Sequence, residues 1–242
     1  MKMKSMGWFV VVAGIALAGC GHGGSTYQPK PPAKVDAFVV TEGADQNLVP
    51  FQEGNQWTYT AKVTASNGKV QRAAAPIENT YKITKVEKTP EGVRASFEIT
   101  TAGKVTDTQV WLANDKGLYQ ISVGVPPKAF TTPQPIIVFP AKSGTTFNWE
   151  GSGLLPNGKT GKNVVESKIL GPQEVDTAAG RVNAIAIEGK TTYSDAGGVS
   201  AKATSTIWLA PGIGIARYSQ DSVSGNTVVH LLLELKSHSL KK

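Results

Sequence analysis

From Leu48 onward the chain alternates. In Val93-Arg94-Ala95-Ser96-Phe97-Glu98-Ile99, the apolar Val93, Ala95, Phe97 and Ile99 share one face, and Arg94, Ser96 and Glu98 the other. Trp57, Tyr59, Ala61 and Val63 alternate in the same way with Thr58, Thr60, Lys62 and Thr64. A period of two is the signature of a half-buried strand. Between such runs fall Asn67-Gly68, Glu91-Gly92, Ala102-Gly103, Asp115-Lys116-Gly117, Ala179-Gly180, Gly197-Gly198 and Ser224-Gly225-Asn226. These residues accept the backbone of tight hairpins. No stretch after residue 48 sustains the three-four apolar spacing of a helix. The pattern predicts about eleven or twelve antiparallel strands. The last, Thr227 to Leu235, is apolar on both faces for most of its length. Such a strand is covered from both sides or closes a sheet. The expected fold class is all-β, with antiparallel strands in a curved sheet, a half-barrel or a two-sheet sandwich.

The chain also repeats itself. Phe51 and Trp57 are answered by Phe139 and Trp149, and Trp111-Leu112-Ala113 by Trp208-Leu209-Ala210. Gly117-Leu118-Tyr119 is answered, with a small shift, by Gly214-Ile215-Ala216-Arg217-Tyr218. Two similar halves, 48–125 and 136–221, are expected within a β domain spanning 48–236, with a tail at 237–242. Two repeats are too few for a solenoid.

The N-terminus reads differently. Lys2 and Lys4 precede an apolar run from Gly7 to Leu17. At about eleven residues this run falls short of the ~20 that span a membrane, and it fits the core of an export signal. It ends in Leu17-Ala18-Gly19-Cys20, and Cys20 is the chain's single cysteine. This arrangement resembles the lipobox of bacterial lipoproteins. The resemblance implies a leader at 1–19, cleavage between Gly19 and Cys20, and a diacylglycerol on the Cys20 sulfur. Acylation of the new amino terminus would add a further chain, and two or more chains anchor stably. Residue 21 is glycine rather than aspartate. In lipoproteins of two-membrane bacteria that is associated with outer-membrane sorting. Residues 20–47, with Gly21, Gly23, Gly24, Pro29, Pro31 and Pro32, read as a tether. Phe38-Val39-Val40 is an apolar island within it.

Charge and chemistry narrow the function. The formal charge is +7, or +5 without Lys2 and Lys4, and no basic run exceeds Lys241-Lys242. Nucleic-acid binding needs a clustered basic stripe, so no nucleic-acid partner is expected. Lipidation of Cys20 removes the one thiol, and with it any disulfide or thiolate nucleophile. Gly153-Leu154-Leu155-Pro156-Asn157-Gly158-Lys159-Thr160 matches the P-loop pattern, but Gly161-Lys162-Asn163 and a Val-rich strand follow it. Phosphate cradling needs a helix there, so no nucleotide is expected. His22, His230 and His238 are too few and too scattered for a zinc site. No Gly-x-Ser-x-Gly elbow exists, and the spacing of Glu53, Glu98, Glu150, Glu166, Asp176 and Glu188 selects no glycosidase pair. An envelope hydrolase is the weakest reading. No cofactor or metal is expected.

The aromatics are the remaining signal. Trp57, Tyr59, Trp111, Trp149, Trp208 and Tyr218 recur at matching places in the two halves. They either pack a core or line an apolar ligand face.

Three further segments carry a family likeness. Phe51-Gln52-Glu53-Gly54-Asn55-Gln56-Trp57-Thr58-Tyr59, Val175 to Ala184 around Ala179-Gly180, and Trp208-Leu209-Ala210-Pro211-Gly212-Ile213-Gly214-Ile215-Ala216-Arg217-Tyr218 resemble the strands and return hairpins of uncharacterised bacterial envelope lipoproteins. A broader likeness is to half-barrel, lipid-binding lipoproteins. The likeness implies a β fold on a membrane anchor, with a lipid or an envelope protein as partner. It carries no established chemistry. The expected function is a non-enzymatic structural or binding module at the cell envelope; the alternative is a carrier or sensor of a hydrophobic ligand.

Overall fold

The computed structural model describes residues 48–68, 70–155 and 160–241. The expected leader, Gly19, the lipidation site Cys20 and the tether lie outside the described residues. Among the described residues thirteen strands form: β1 (Gln56–Asn67), β2 (Val70–Ala73), β3 (Ile77–Thr89), β4 (Gly92–Thr101), β5 (Lys104–Asn114), β6 (Gly117–Val123) and β7 (Lys128–Val138), then β8 (Thr146–Leu154), β9 (Thr160–Thr177), β10 (Gly180–Asp195), β11 (Gly198–Ala210), β12 (Gly214–Ser224) and β13 (Thr227–Ser239). β13 runs past residue 236, so Ser237 to Ser239 of the expected tail pair with Gln56 to Thr58.

All strands belong to one sheet, in the order β7-β6-β5-β4-β3-β1-β13-β12-β11-β10-β9-β8, with β2 hung on β1. This settles the choice left open by the sequence: one curved sheet, not a two-sheet sandwich. Each half is a meander of six long strands, β1 and β3 to β7, then β8 to β13. The halves are joined in the middle by the β1–β13 ladder. The sheet curls until its ends β7 and β8 lie against each other, giving a nearly closed barrel.

One face of almost every strand turns inward. Trp57, Tyr59, Tyr81, Phe97, Trp111, Ile169, Leu209, Tyr218 and Leu233 fall into a single cluster. About eight strands give a ring that ordinary side chains fill. This wider ring needs Trp, Tyr and Phe, and it needs a plug. Leu48 and Val49 supply the plug at the end where β1 begins, and Phe51 sets its ring edge-on to Phe97. Trp57 fastens that end by donating Nε1–H to the Ile213 carbonyl at 2.6 Å. Gly214 stands beneath at φ 104, with Trp57 within 3.5 Å of where a Cβ would lie. Between Val49, Trp57, Tyr59, Tyr81, Phe97, Trp111 and Ile215 a void of about 10 Å³ remains.

β2 was not legible in the pattern. Its residues, Val70-Gln71-Arg72-Ala73, are all exposed. They pair with β1 without burying a face, so no alternation announces them.

Candidate functional site

The six aromatics of the expected ligand face do not share one surface. Trp57, Tyr59, Trp111 and Tyr218 are 2%, 2%, 2% and 0% exposed, in the filled interior. Burial raises the pKa of Tyr59 and Tyr218, and Tyr59 gives its hydroxyl to the Ile215 carbonyl at 3.1 Å. Trp208 lies on the outer face. It packs beside Val175, Ala184, Ala210 and Ala216 and donates to Gln173 Oε1 at 2.8 Å. There the tip of the β9–β10 hairpin folds over the sheet, with Arg217 donating to the Asp176 carbonyl and Ala179 N–H to that of Leu235. Trp149 stands at the junction of β7 and β8.

That junction is the exception in the sheet. Among the described residues no ladder joins β7 to β8. Side chains do the joining. Trp149 donates Nε1–H to Thr132 Oγ1 at 3.0 Å and to the Thr132 carbonyl at 3.2 Å. Ser152 N–H reaches Thr131 Oγ1 at 3.2 Å. Phe130 sets its ring edge-on to Trp149, centroids 5.6 Å apart. The cause lies in β7. Gln120 pairs with Gln134 and Ser122 with Ala129, so residues 130–133 bulge out opposite Ile121 alone. Pro133 and Pro135 remove two N–H donors from the same strand. A bulge and prolines are how an edge strand is kept from pairing.

Three depressions meet at this bulge. The largest, about 540 Å³, runs over the outer face of β4 to β7. Leu112, Tyr119, Ile121, Ala129, Phe130 and Pro133 line it, with Glu91, Arg94 and Asn114 at its upper rim. Phe130 and Ala129 also border a cavity of about 130 Å³, closed on the far side by Ser152, Gly153 and Thr160. Thr131 and Ser152 connect that cavity to a polar hollow beside Glu150 and Lys162, which pair at 2.6 Å. Glycines make room here. A Cβ on Gly151 would enter the Trp149 ring, and one on Gly153 would come within 2.7 Å of Asn163 Nδ2. At the groove rim, Arg94 pairs with Glu91, while its buried Nε finds no acceptor. Partial burial and Asp115 raise the pKa of Tyr119.

The interior near the bulge is polar. Trp111 donates to Gln109 Oε1 at 3.0 Å, and Gln109 Nε2 donates to Asp107 Oδ2 at 3.0 Å. Asp107 Oδ1 accepts from Gly124 N–H at 2.7 Å and Thr108 N–H at 2.9 Å. Burial pushes the Asp107 pKa up, and those three donors oppose the shift. Gln120 is fully buried, and neither of its amide atoms has a partner.

The motifs weighed for catalysis fall elsewhere. Gly153 pairs with Gly161 and Leu154 with Thr160, so the P-loop-like stretch spans a hairpin between strands. Its residues 156–159 lie outside the described residues. His230 is a surface cross-strand partner of Asp221, Nδ1 to Oδ1 2.7 Å. Among the described residues no three His, Cys, Asp or Glu side chains converge for a metal ion.

Sequence reading missed the groove. Ala129, Phe130 and Pro133 fall between the two expected halves, where prolines suggest a connection. Arg94, Leu112, Tyr119 and Ile121 were legible only as the outward face of their strands. The available signal was the outward aliphatic pair Leu112 and Ile121 beside Tyr119.

No protein-family profile matches the chain, and no curated protein matches it in sequence. Solved structures do. A lipoprotein candidate from Parabacteroides distasonis superimposes with a TM-score of 0.52 at 13% identity, covering 79% of this chain and 98% of that one. A candidate exported protein with a YmcC-like fold from Bacteroides fragilis gives 0.47 at 16% identity, covering 79% and 98%. The hypothetical lipoprotein YmcC of Escherichia coli gives 0.35 at 11%, covering 79% and 94%. At such identities the likeness speaks for fold alone, and of these three the first superimposes closely enough to support it.

Proposed function

We propose that this chain is a lipid-anchored protein of the bacterial cell envelope, and that its β domain is a non-enzymatic binding module working through the outer groove of β4 to β7. The anchor reading rests on Leu17-Ala18-Gly19-Cys20. An outer-membrane address follows from Gly21 if the source has two membranes. The barrel is not built to sit in lipid. A lipid-embedded barrel turns an apolar band outward and a polar lumen inward. Here Lys62, Lys82, Lys162, Glu166, Lys190 and Lys202 are exposed, and Trp57, Tyr59, Tyr81, Phe97, Trp111 and Tyr218 face inward.

One observation carries the binding reading. Between Val49, Trp57, Tyr59, Tyr81, Phe97, Trp111 and Ile215 the core leaves about 10 Å³, while about 540 Å³ lies open on the outer face of β4 to β7. This contrast favours a ligand on the outer face. The aliphatic and aromatic lining favours an apolar ligand, which keeps the carrier or sensor reading as the second.

Two measurements test this. Cys20→Ser should lose palmitate labelling and leave the membrane fraction; retained label would remove the anchor. For the groove, protein from the native envelope is analysed by mass spectrometry beside Ile121→Lys. A stoichiometric bound species present in the wild type and absent from the variant is expected. The same empty protein in both would overturn the groove.

A further inference from the structure

We infer that the groove takes an acidic amphiphile, an acyl chain with a carboxylate or phosphate head, the chain lying on Leu112, Tyr119, Ile121 and Phe130 and the head meeting Lys128 at the start of β7. The inference rests on reading the groove as a binding surface, and it adds the class of ligand held there.

The groove and the cavity beside it offer different groups. The groove, about 540 Å³, is walled by Leu112, Tyr119, Ile121, Phe130 and Pro133, and its size falls within the ~300–1,000 Å³ of small-molecule sites. Its charged rim residues are engaged with each other, Arg94 pairing with Glu91. Ala129 and Phe130 line both the groove and the cavity of about 130 Å³, so the one runs into the other. The cavity adds Lys128 and the hydroxyls of Thr131, Ser152 and Thr160. Among the described residues no carboxylate lines it.

Charge decides the head. Among the described residues no carboxylate pairs with Lys128. Glu150, in the adjoining hollow, is held by Lys162 at 2.6 Å. An ammonium beside hydroxyls supplies donors and no competing anion, which suits an acidic head and repels a cationic one. Lys128 is exposed, so its ammonium selects the head more than it adds affinity. Apolar contact along the groove supplies the rest. A head left on the aliphatic stretch would have to shed water without a partner, which fixes the direction in which the chain lies.

Titration calorimetry on the mature chain carrying Cys20→Ser, stripped of bound lipid, tests this. Laurate should bind about fivefold or more tightly than dodecyltrimethylammonium, an alkyl chain of matching length with the opposite charge. Lys128→Gln should weaken laurate about fivefold, the upper scale of one exposed charge pair, and leave dodecanol unchanged. Acetate, the head without the chain, should not bind where laurate does. Equal affinity for the two charged amphiphiles, or an unaltered laurate affinity in Lys128→Gln, would overturn the acidic head. Acetate binding as tightly as laurate would make this a site for a free anion and overturn the amphiphile. Failure of the groove itself reads differently: Ile121→Asp, which spoils the groove without adding a cation, would then bind every dodecyl probe as its parent does. If laurate does not bind while Ile121→Lys still loses a bound species, the groove stands and the acidic amphiphile leaves it.

Discussion

Where β1 meets β13, the two halves share a ladder running from Gln56 opposite Ser239 to Asn67 opposite Thr227. Where β7 meets β8, they touch through Thr131, Thr132, Trp149 and Phe130. The first junction uses groups that every residue carries, so its strength depends little on side-chain identity. The second depends on a few side chains, and its strands keep hollows on either side. A six-strand meander used twice can close a ring with ladders at both ends. This ring closes one end with a ladder and leaves a bulged, proline-bearing edge at the other. The groove lies beside that edge.

The halves differ inside as well. Trp111-Leu112-Ala113 and Trp208-Leu209-Ala210 occupy the fourth long strand of each half, yet Trp111 points into the core and Trp208 out of it. Register shifts fall at Val110/Trp111 and at Trp208/Leu209. A one-residue offset turns every side chain to the other face. The outward Leu112 then floors the groove, while the inward Leu209 fills the core.

The largest test of this contrast is Trp111→Ala against Trp208→Ala. Removing the buried ring should destabilise by about 3–5 kcal/mol, and removing the half-buried one by about 1–2 kcal/mol, as read from urea midpoints. Equal losses would mean that the matching tripeptides are equivalent after all.

A smaller effect is expected at the seam. Thr132→Val removes the hydroxyl that accepts from Trp149, a loss of about 1 kcal/mol. In a double-mutant cycle with Trp149→Phe the two changes should be non-additive. Hydrogen exchange should quicken in β7 and β8 and stay unchanged in β1 and β13. Spread of the change to β1 and β13 would show one cooperative ring rather than two unlike junctions.

The smallest concerns pH. Each half carries an internal aromatic–glutamine chain. Trp111–Gln109–Asp107 ends in a carboxylate, and Tyr218–Gln220–Ser222 in a hydroxyl. The Asp107 pKa is raised in the fold. Below the ordinary carboxylate value, both folded and unfolded chains hold the proton. As pH climbs from there to the raised folded value, the unfolded chain releases it first, and stability falls. Asp107→Asn should therefore reduce the loss of stability as pH rises above the ordinary carboxylate value. An unchanged slope would assign it to other groups.

The sequence by itself determined the all-β class, most strand positions and the covered final strand, because a period of two with glycine-marked turns is local chemistry. It also carries Leu17-Ala18-Gly19-Cys20, the run on which the proposed anchor rests. Leu231, Leu232 and Leu233 are all buried in β13, as an apolar run with two covered faces requires. Single sheet or sandwich, and which tryptophan faces in, were decided by tertiary structure, because ladder partners and bulges join residues far apart in the chain. The groove belongs to the same class. Arg94, Leu112, Ile121 and Phe130 come from four strands, and nothing local says that curling the sheet will set them side by side.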